Sequence, residues 1–491
     1  MADSAALPWR FQNYLDGAFV DGGGGWLAVE DPATGEQLAE QALADEADVD
    51  RAVAAARRCV NSGVLKAINP VLRGRKVKAM GDYLLAHKDS IAPLLTRESG
   101  KPLWEAHLEI EGAARYFEYY GNQAETLEGR SIPLGGGYFD FTVYEPHGVS
   151  AQIIPWNYPL EMTARSLAPA LATGNACVVK TPELDPLTHL YLARAAEAAA
   201  MPPGAVNLLC GLGPRAGAAL AAHSAIDQLV FTGSVATGIS IAQAAATNVV
   251  PCVLELGGKS AAIVYPDADL DNLFTSVRWG IYFNAGQVCS AMGRLLVHRD
   301  IHDRVVEGLV ALAKGLSVGP GIERPAFGPN MGALISEPQL ERVAALCATA
   351  QSEGAVAVSG GHRLNRPGCF YEPTVFTQVA PTSTLAQTEV FGPVLAVLPF
   401  AGDLEAVAMA NGTPYGLVGG VFTRDLDRAM AVARDLRAGQ VFVNEWYAGG
   451  VETPFGGYGR SGYGREKGRE ALGNYVQTKN IAIKLASTGK S

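Results

Sequence analysis

From Gly148 onward the chain alternates short apolar runs with segments of helical length, and that alternation limits the fold more than any other feature. Residues 149–154 read as a strand, and Pro159 opens a helix. Residues 176–180, 206–209 and 228–231 read as further strands. The helices after them run through Ala200, run through Ala222, and start at Ser234, respectively. Strands alternating with helices of this length form a parallel, doubly wound α/β sheet. Ligands bind such sheets in the crevice at the carboxyl ends of the strands. Asn157, Lys180 and Ser234 each fall at or just after such an end. A second α/β pattern spans 260–443. The N-terminal part has a short β-like start followed by Ala-rich amphipathic helices, such as 48–59 and 73–87. Residues 125–144 lack helical periodicity, carry Gly135-Gly136-Gly137 and read as an extended hairpin; the tail 474–485 is strand-like.

At 491 residues, a prior of roughly 150 residues per domain gives two to four domains. Hydrophobic residues make up 48% and charged residues 18%, enough to build a large core. A net charge of −10 argues against a general surface for nucleic acid or anionic membrane. The first ten residues lack the basic start and apolar run of a secretory signal, and no apolar stretch reaches the length of a membrane span. Seven irregularly spaced Cys form no disulfide framework, which fits a reducing cytoplasm. The close pair His298 and His302 falls on a strand end and a turn, a poor metal site, so no metal is expected.

Chemistry enters with Cys289, in Phe283-Asn284-Ala285-Gly286-Gln287-Val288-Cys289-Ser290-Ala291. It lies 34 positions after Glu255 of Glu255-Leu256-Gly257-Gly258-Lys259. A thiolate is a strong nucleophile and a carboxylate can serve as its base or activate water. Alone, a Cys is more often a small buried hydrophobe, Glu255 a strand-end carboxylate paired with a base such as Lys259, and Asn157 a turn residue. Gly211-Leu212-Gly213-Pro214-Arg215-Ala216-Gly217 mimics a dinucleotide fingerprint, but its spacing is G-x-G-x-x-x-G, and a plain turn is the better reading. Gly233-Ser234 opens a helix after a strand, where free N–H groups favour a pyrophosphate; a simple Ser cap is the alternative.

The Cys289 and Glu255 segments occur with Pro155-Trp156-Asn157-Tyr158-Pro159, Phe231-Thr232-Gly233-Ser234, Glu389-Val390-Phe391-Gly392-Pro393 and Pro454-Phe455-Gly456-Gly457. In this order and at these intervals, over nearly the whole chain, the blocks resemble the aldehyde dehydrogenase superfamily. The resemblance implies a Rossmann-type parallel-sheet NAD-binding domain (1–123 and 147–257), an α/β catalytic domain (258–457) and a β oligomerisation arm (124–146 and 474–487) of a homodimer or homotetramer. It implies oxidation of a small-molecule aldehyde, with Cys289 as nucleophile, Asn157 and the Cys289 N–H as oxyanion donors, and Glu255 activating water to hydrolyse a thioester. It also implies that Trp156, Gly233, Ser234, Glu389 and Phe391 contact NAD, with Lys180 and Glu183 on the adenine ribose. A carboxylate at Glu183 repels a 2′-phosphate and favours NAD over NADP.

Glu255 argues against a relative that passes the acyl group to coenzyme A, and Cys289, Glu255 and Asn157 together argue against a non-catalytic relative that keeps the fold. For the substrate, Tyr158, Met162 and Arg165 share one helical stripe beside Asn157. Family members acting on succinic semialdehyde resemble this chain in having Arg there, which points to an acidic semialdehyde. A structural pair of Arg165 with Glu161, at i,i+4, is the alternative. Phe283 departs from the succinic-semialdehyde pattern, and Trp446 and Tyr447 suggest aromatic walls for a bulky or ring-bearing aldehyde instead.

Overall fold

The computed structural model describes residues 9–486, so the N-terminal reading at 1–8 and the arm position Ser487 lie outside the described residues. One sheet of eight strands has at its centre the five parallel strands Cys252–Leu256, Gln228–Gly233, Val149–Ile153, Ala176–Thr181 and Val206–Cys210, in that spatial order. Apolar residues alternate between its two faces. Cys177, Val179, Val206, Leu208 and Val230 enter the core under the helices Pro70–Ala86, Leu103–Gln123 and Pro159–Thr173. Val178, Leu209, Leu229 and Leu254 enter the core on the other face. A parallel sheet covered on both sides requires such two-faced strands.

The expected strands and helices are present, with local differences. The helix after the second strand stops at Ala198, and Ala200 turns left-handed (φ 49°). The Gly211–Gly217 region forms a π-helical turn leading into Ala218–Ala222. At one sheet edge, Gly462–Tyr463 pairs antiparallel with Cys252–Leu256, placing Gly462 opposite Glu255. A two-residue strand with one Gly carries no legible periodicity.

The second sheet has seven strands, in the order Val356–Ser359, Thr374–Thr377, Val394–Phe400, Arg294–His298, Ala261–Val264, Val418–Phe422 and Gln440–Val443. All its pairings are parallel except the first. The extended segment and the tail meet in a separate three-stranded sheet: Tyr138–Pro146 pairs antiparallel along its length with Val476–Lys484 and, on its other side, with Ser131–Ile132. No described helix is long and apolar enough to cross a membrane. Among the described residues no cluster of three or more His, Cys, Asp or Glu could hold a metal; His298 bonds the Ala401 carbonyl and His302 pairs with Asp303.

Ser461 fastens the two sheets together beside the site. Its buried hydroxyl donates to the Gly257 carbonyl (2.8 Å) and accepts from the Gly416 N–H (3.0 Å). Ser461→Ala orphans both groups, a cost of about 1–3 kcal/mol. The expected result is a lower midpoint in thermal unfolding; an unchanged midpoint would show that the tie is dispensable.

Candidate active site

The strand order turns at Val149–Ile153, whose neighbours are the second strand, Ala176–Thr181, on one side and the fourth, Gln228–Gly233, on the other. The crevice at that switch point is where a doubly wound sheet binds its ligand. Trp156 and Asn157 follow one strand, and Gly233 and Ser234 end the other. With Glu389, Phe391 and Gln339 they line a cleft of about 240 Å³. Ser234 caps the helix Val235–Ala246, accepting from the Thr237 N–H at 3.2 Å, so capping and position in the cleft hold together. The Glu389 carboxylate accepts from the Gly258 N–H at 3.2 Å, and a Cβ on Gly257 would lie 2.1 Å from it and force the carboxylate to shift. Burial pushes the Glu389 carboxyl up to about 7, opposed by that N–H and by Lys259. Phe391 meets Trp156 edge to face (5.2 Å), and the Gln339 side chain donates to its carbonyl.

Cys289 is delivered by a turn under strain. Asn284 (φ 47°), Ala285 (φ 52°) and Gly286 (φ 73°) are consecutively left-handed. Each non-glycine there costs of order 1 kcal/mol and persists only where its surroundings fix it. The helix Leu103–Gln123 supplies the fixing groups one turn apart. The Glu105 carboxylate accepts from the Asn284 N–H (3.0 Å), and Glu109 accepts from the Leu160 N–H (3.0 Å). Lys101, fully buried, pairs with Glu109 and donates to the Asn157 carbonyl (3.0 Å), which also accepts from the Asn284 side chain (2.9 Å). One N–H of the Asn157 amide goes to the Gln287 carbonyl (2.9 Å), which leaves the other free. Among the described residues the Cys289 N–H has no acceptor.

Burial pushes the Cys289 thiol up to about 12; Arg165 pulls it down, and Glu389 and Glu255 push it further up. Glu255 is buried and its carboxyl is held well above the usual carboxylate range by burial, against the pull of Arg165 3.9 Å away. Neither of its oxygens has a hydrogen-bond partner among the described residues. Gly456 makes room for the carboxyl: a Cβ there would lie 2.9 Å from it.

A second cavity, about 280 Å³, opens on the other side of the thiol. Cys289, Asn157 and Met162 line both this cavity and the cleft, so the two meet at the sulfur. Its walls are aromatic, with Tyr158, Trp279, Phe283, Phe442, Tyr447 and Phe455. Tyr158 therefore lies where the sequence places it.

The structure shows surroundings of Arg165 and Trp446 that the sequence does not. Arg165 lines the cavity, but its guanidinium is ion-paired with Glu466, lies 3.9 Å from Glu255 and sits 4.6 Å over the Phe455 ring. Its charge is matched by Glu466 and not by Glu161. Trp446 does not line the cavity: it packs in the core against Phe442 and donates to the Ser290 carbonyl, and the neighbouring Tyr447, left-handed at φ 69°, forms the wall instead. Lys259 makes no ion pair with Glu255. Lys180 and Glu183 pair with each other outside the lining of the cleft, and Glu183 also accepts from the Gly213 N–H (3.3 Å). The mimic of a fingerprint thus supports Glu183 without lining the cleft.

The model of the aldehyde dehydrogenase family matches residues 19–481. The chain belongs to the aldehyde dehydrogenase family. It is 40% identical to the putative aldehyde dehydrogenase DhaS of Bacillus subtilis, over 96% of this chain and 95% of the relative. It is also 40% identical to human retinal dehydrogenase 2, over 93% and 88%. The NAD+ complex of an aldehyde dehydrogenase from Bacillus cereus superposes with a TM-score of 0.95 at 38% identity, covering 97% of each chain. Betaine aldehyde dehydrogenase from Staphylococcus aureus, also an NAD+ complex, gives 0.94 at 35%, covering 96% of this chain and 94% of that one. Both of these solved relatives are NAD+ complexes. The open helix end at Ser234 and the buried Glu389 carboxylate suit a pyrophosphate and a ribose.

Sequence reasoning missed Lys101, Glu105 and Glu109, although carboxylates at i,i+4 on a helix that is otherwise apolar on that face are a signal. It also missed Glu466 and Lys467, for which no spacing rule exists. The raised thiol pKa sets a test on the free enzyme. Because the neutral thiol prevails at neutral pH, alkylation of Cys289 by iodoacetamide should accelerate about tenfold per pH unit. A flat profile through the neutral range would show that the thiolate is already formed.

Proposed function

We propose that this aldehyde dehydrogenase oxidises a bulky, ring-bearing aldehyde to the free carboxylic acid, with NAD preferred over NADP. The observation that carries the reading is the meeting of two cavities at one thiol, with an amide donor beside it. Cys289 first loses its thiol proton to solvent and then attacks the carbonyl carbon as thiolate, and the carbonyl π electrons move to oxygen. The free Asn157 N–H and the Cys289 N–H hold that oxyanion. NAD held in the cleft by Trp156, Ser234, Glu389 and Phe391 would supply the oxidant, as acceptor of the hydride from the tetrahedral carbon. The carbon is left as a thioester on Cys289. Glu255 lines the cofactor cleft and not the aldehyde cavity, so the water it activates approaches from the cofactor side. That water adds to the thioester while Glu255 takes its proton, and the Cys289 thiolate leaves. Glu183, on Lys180, disfavours a 2′-phosphate.

The relatives' names specify aldehydes as unlike as retinal and betaine aldehyde. The choice of substrate therefore rests on this chain's cavity, whose aromatic walls and already-matched Arg165 favour a ring over an acidic semialdehyde. The exposed apolar side chains Tyr138, Phe139 and Ile483 on the three-stranded sheet support its reading as an oligomerisation arm. The reaction needs no membrane, nucleic acid or metal, consistent with a cytoplasmic enzyme.

Cys289→Ala should abolish NADH formation with every aldehyde while NAD still binds; activity near wild type would remove Cys289 from the mechanism. Arg165→Met leaves Glu466 and Glu255 without their cation, so kcat should fall for charged and neutral aldehydes alike. A loss confined to carboxylate-bearing aldehydes would restore the acidic-substrate reading.

A further inference from the structure

The aldehyde cavity contains two charged side chains that the chemistry above does not use. Glu161, in the first turn of Pro159–Thr173, and Lys467, left-handed at φ 61°, both line it and both are half-buried. Each senses the other's charge, yet neither makes a side-chain hydrogen bond or an ion pair within 4 Å among the described residues. The Lys467 ammonium lies 5.9 Å from the centre of the Phe455 ring. Burial pushes the Glu161 carboxyl up to about 7, helped by Glu109 and opposed by Lys467. Burial also brings the Lys467 ammonium down to about 8, with Arg165 adding to the effect. Holding two opposite charges apart in a partly dry cavity is costly unless something bridges them.

The charge around the cavity limits what that bridge can be. Arg165 is matched by Glu466, and burial holds Glu255 toward its neutral form. Glu161 and Lys467 then balance each other. A substrate carboxylate would add an uncompensated negative charge beside the sulfur that must itself become a thiolate. A hydroxyl adds no charge, donates to a carboxylate and accepts from an ammonium at the same time. The aromatic walls favour a ring as its carrier.

We propose that Glu161 and Lys467 form a specificity site for an aldehyde whose aromatic ring carries a hydroxyl group away from the formyl carbon. This rests on the assignment of the cavity to the aldehyde. The site is tested with three para-substituted benzaldehydes bearing hydroxymethyl, ethyl or carboxyl groups; the first two are close in size and differ in hydrogen bonding. The wild-type holoenzyme should favour the hydroxymethyl over the ethyl compound in kcat/KM by about tenfold or more, the range for a hydrogen bond to a charged group. Glu161→Gln and Lys467→Gln should each move that ratio several-fold toward unity, and thermal unfolding confirms that each variant folds. A wild-type ratio near unity, a ratio unchanged in both variants, or preference for the carboxyl compound would overturn the proposal while leaving the dehydrogenase reading in place. No NADH from any of the three would instead overturn the ring-aldehyde reading on which it stands.

Discussion

The buried carbonyl of Asn157 is the point on which the site depends. Lys101 and Asn284 both donate to it, and all three residues are buried. Through Lys101 and Glu109 the bond reaches the start of the helix that follows Asn157; through Asn284 it reaches the strained turn that precedes Cys289. Oxyanion donor and nucleophile are thus held by one buried polar network. Such a network is stiff when every member is satisfied and costly when one is lost. This explains how left-handed Asn284 and Ala285 persist: their strain is small beside the desolvation that breaking the network would impose.

A second economy is electrostatic. The Arg165 guanidinium lies between Glu466 and Glu255, and it also lowers the Cys289 thiol against the effect of burial. It opposes Glu389 and Glu255, which raise the thiol. Its charge is matched through Nε by Glu466, while Nη2 has no hydrogen-bond partner among the described residues. Specificity is left to side chains deeper in the sequence's blind spot, on the aromatic wall and at Glu161 and Lys467.

The doubly wound sheet was legible because its strands are buried on two faces and its helices recur at regular spacing. Asn157, Ser234, Glu255 and Cys289 were legible because each sits at a strand end or within a distinctive block. Arg165 was placed on the right helical stripe, but its partner Glu466 lies 301 positions away, and periodicity along one helix says nothing about a partner brought in by another segment. Trp446 and Tyr447 show a different limit. Both are aromatic and adjacent, and only the left-handed backbone at Tyr447 decides which ring faces the cavity. The Gly211–Gly217 near-motif was rightly set aside on spacing, and it instead offers a single N–H to Glu183.

The central claim is that the aldehyde carbon is carried through a thioester on Cys289 whose hydrolysis depends on Glu255. The most direct measurement is the intact mass of Glu255→Gln, quenched in acid after mixing with NAD and an aromatic aldehyde, followed by peptide mapping. The account predicts an added acyl group on the peptide containing Cys289, with NADH released in a burst of about one equivalent per active site before turnover slows. An unmodified Cys289 together with wild-type turnover would contradict it.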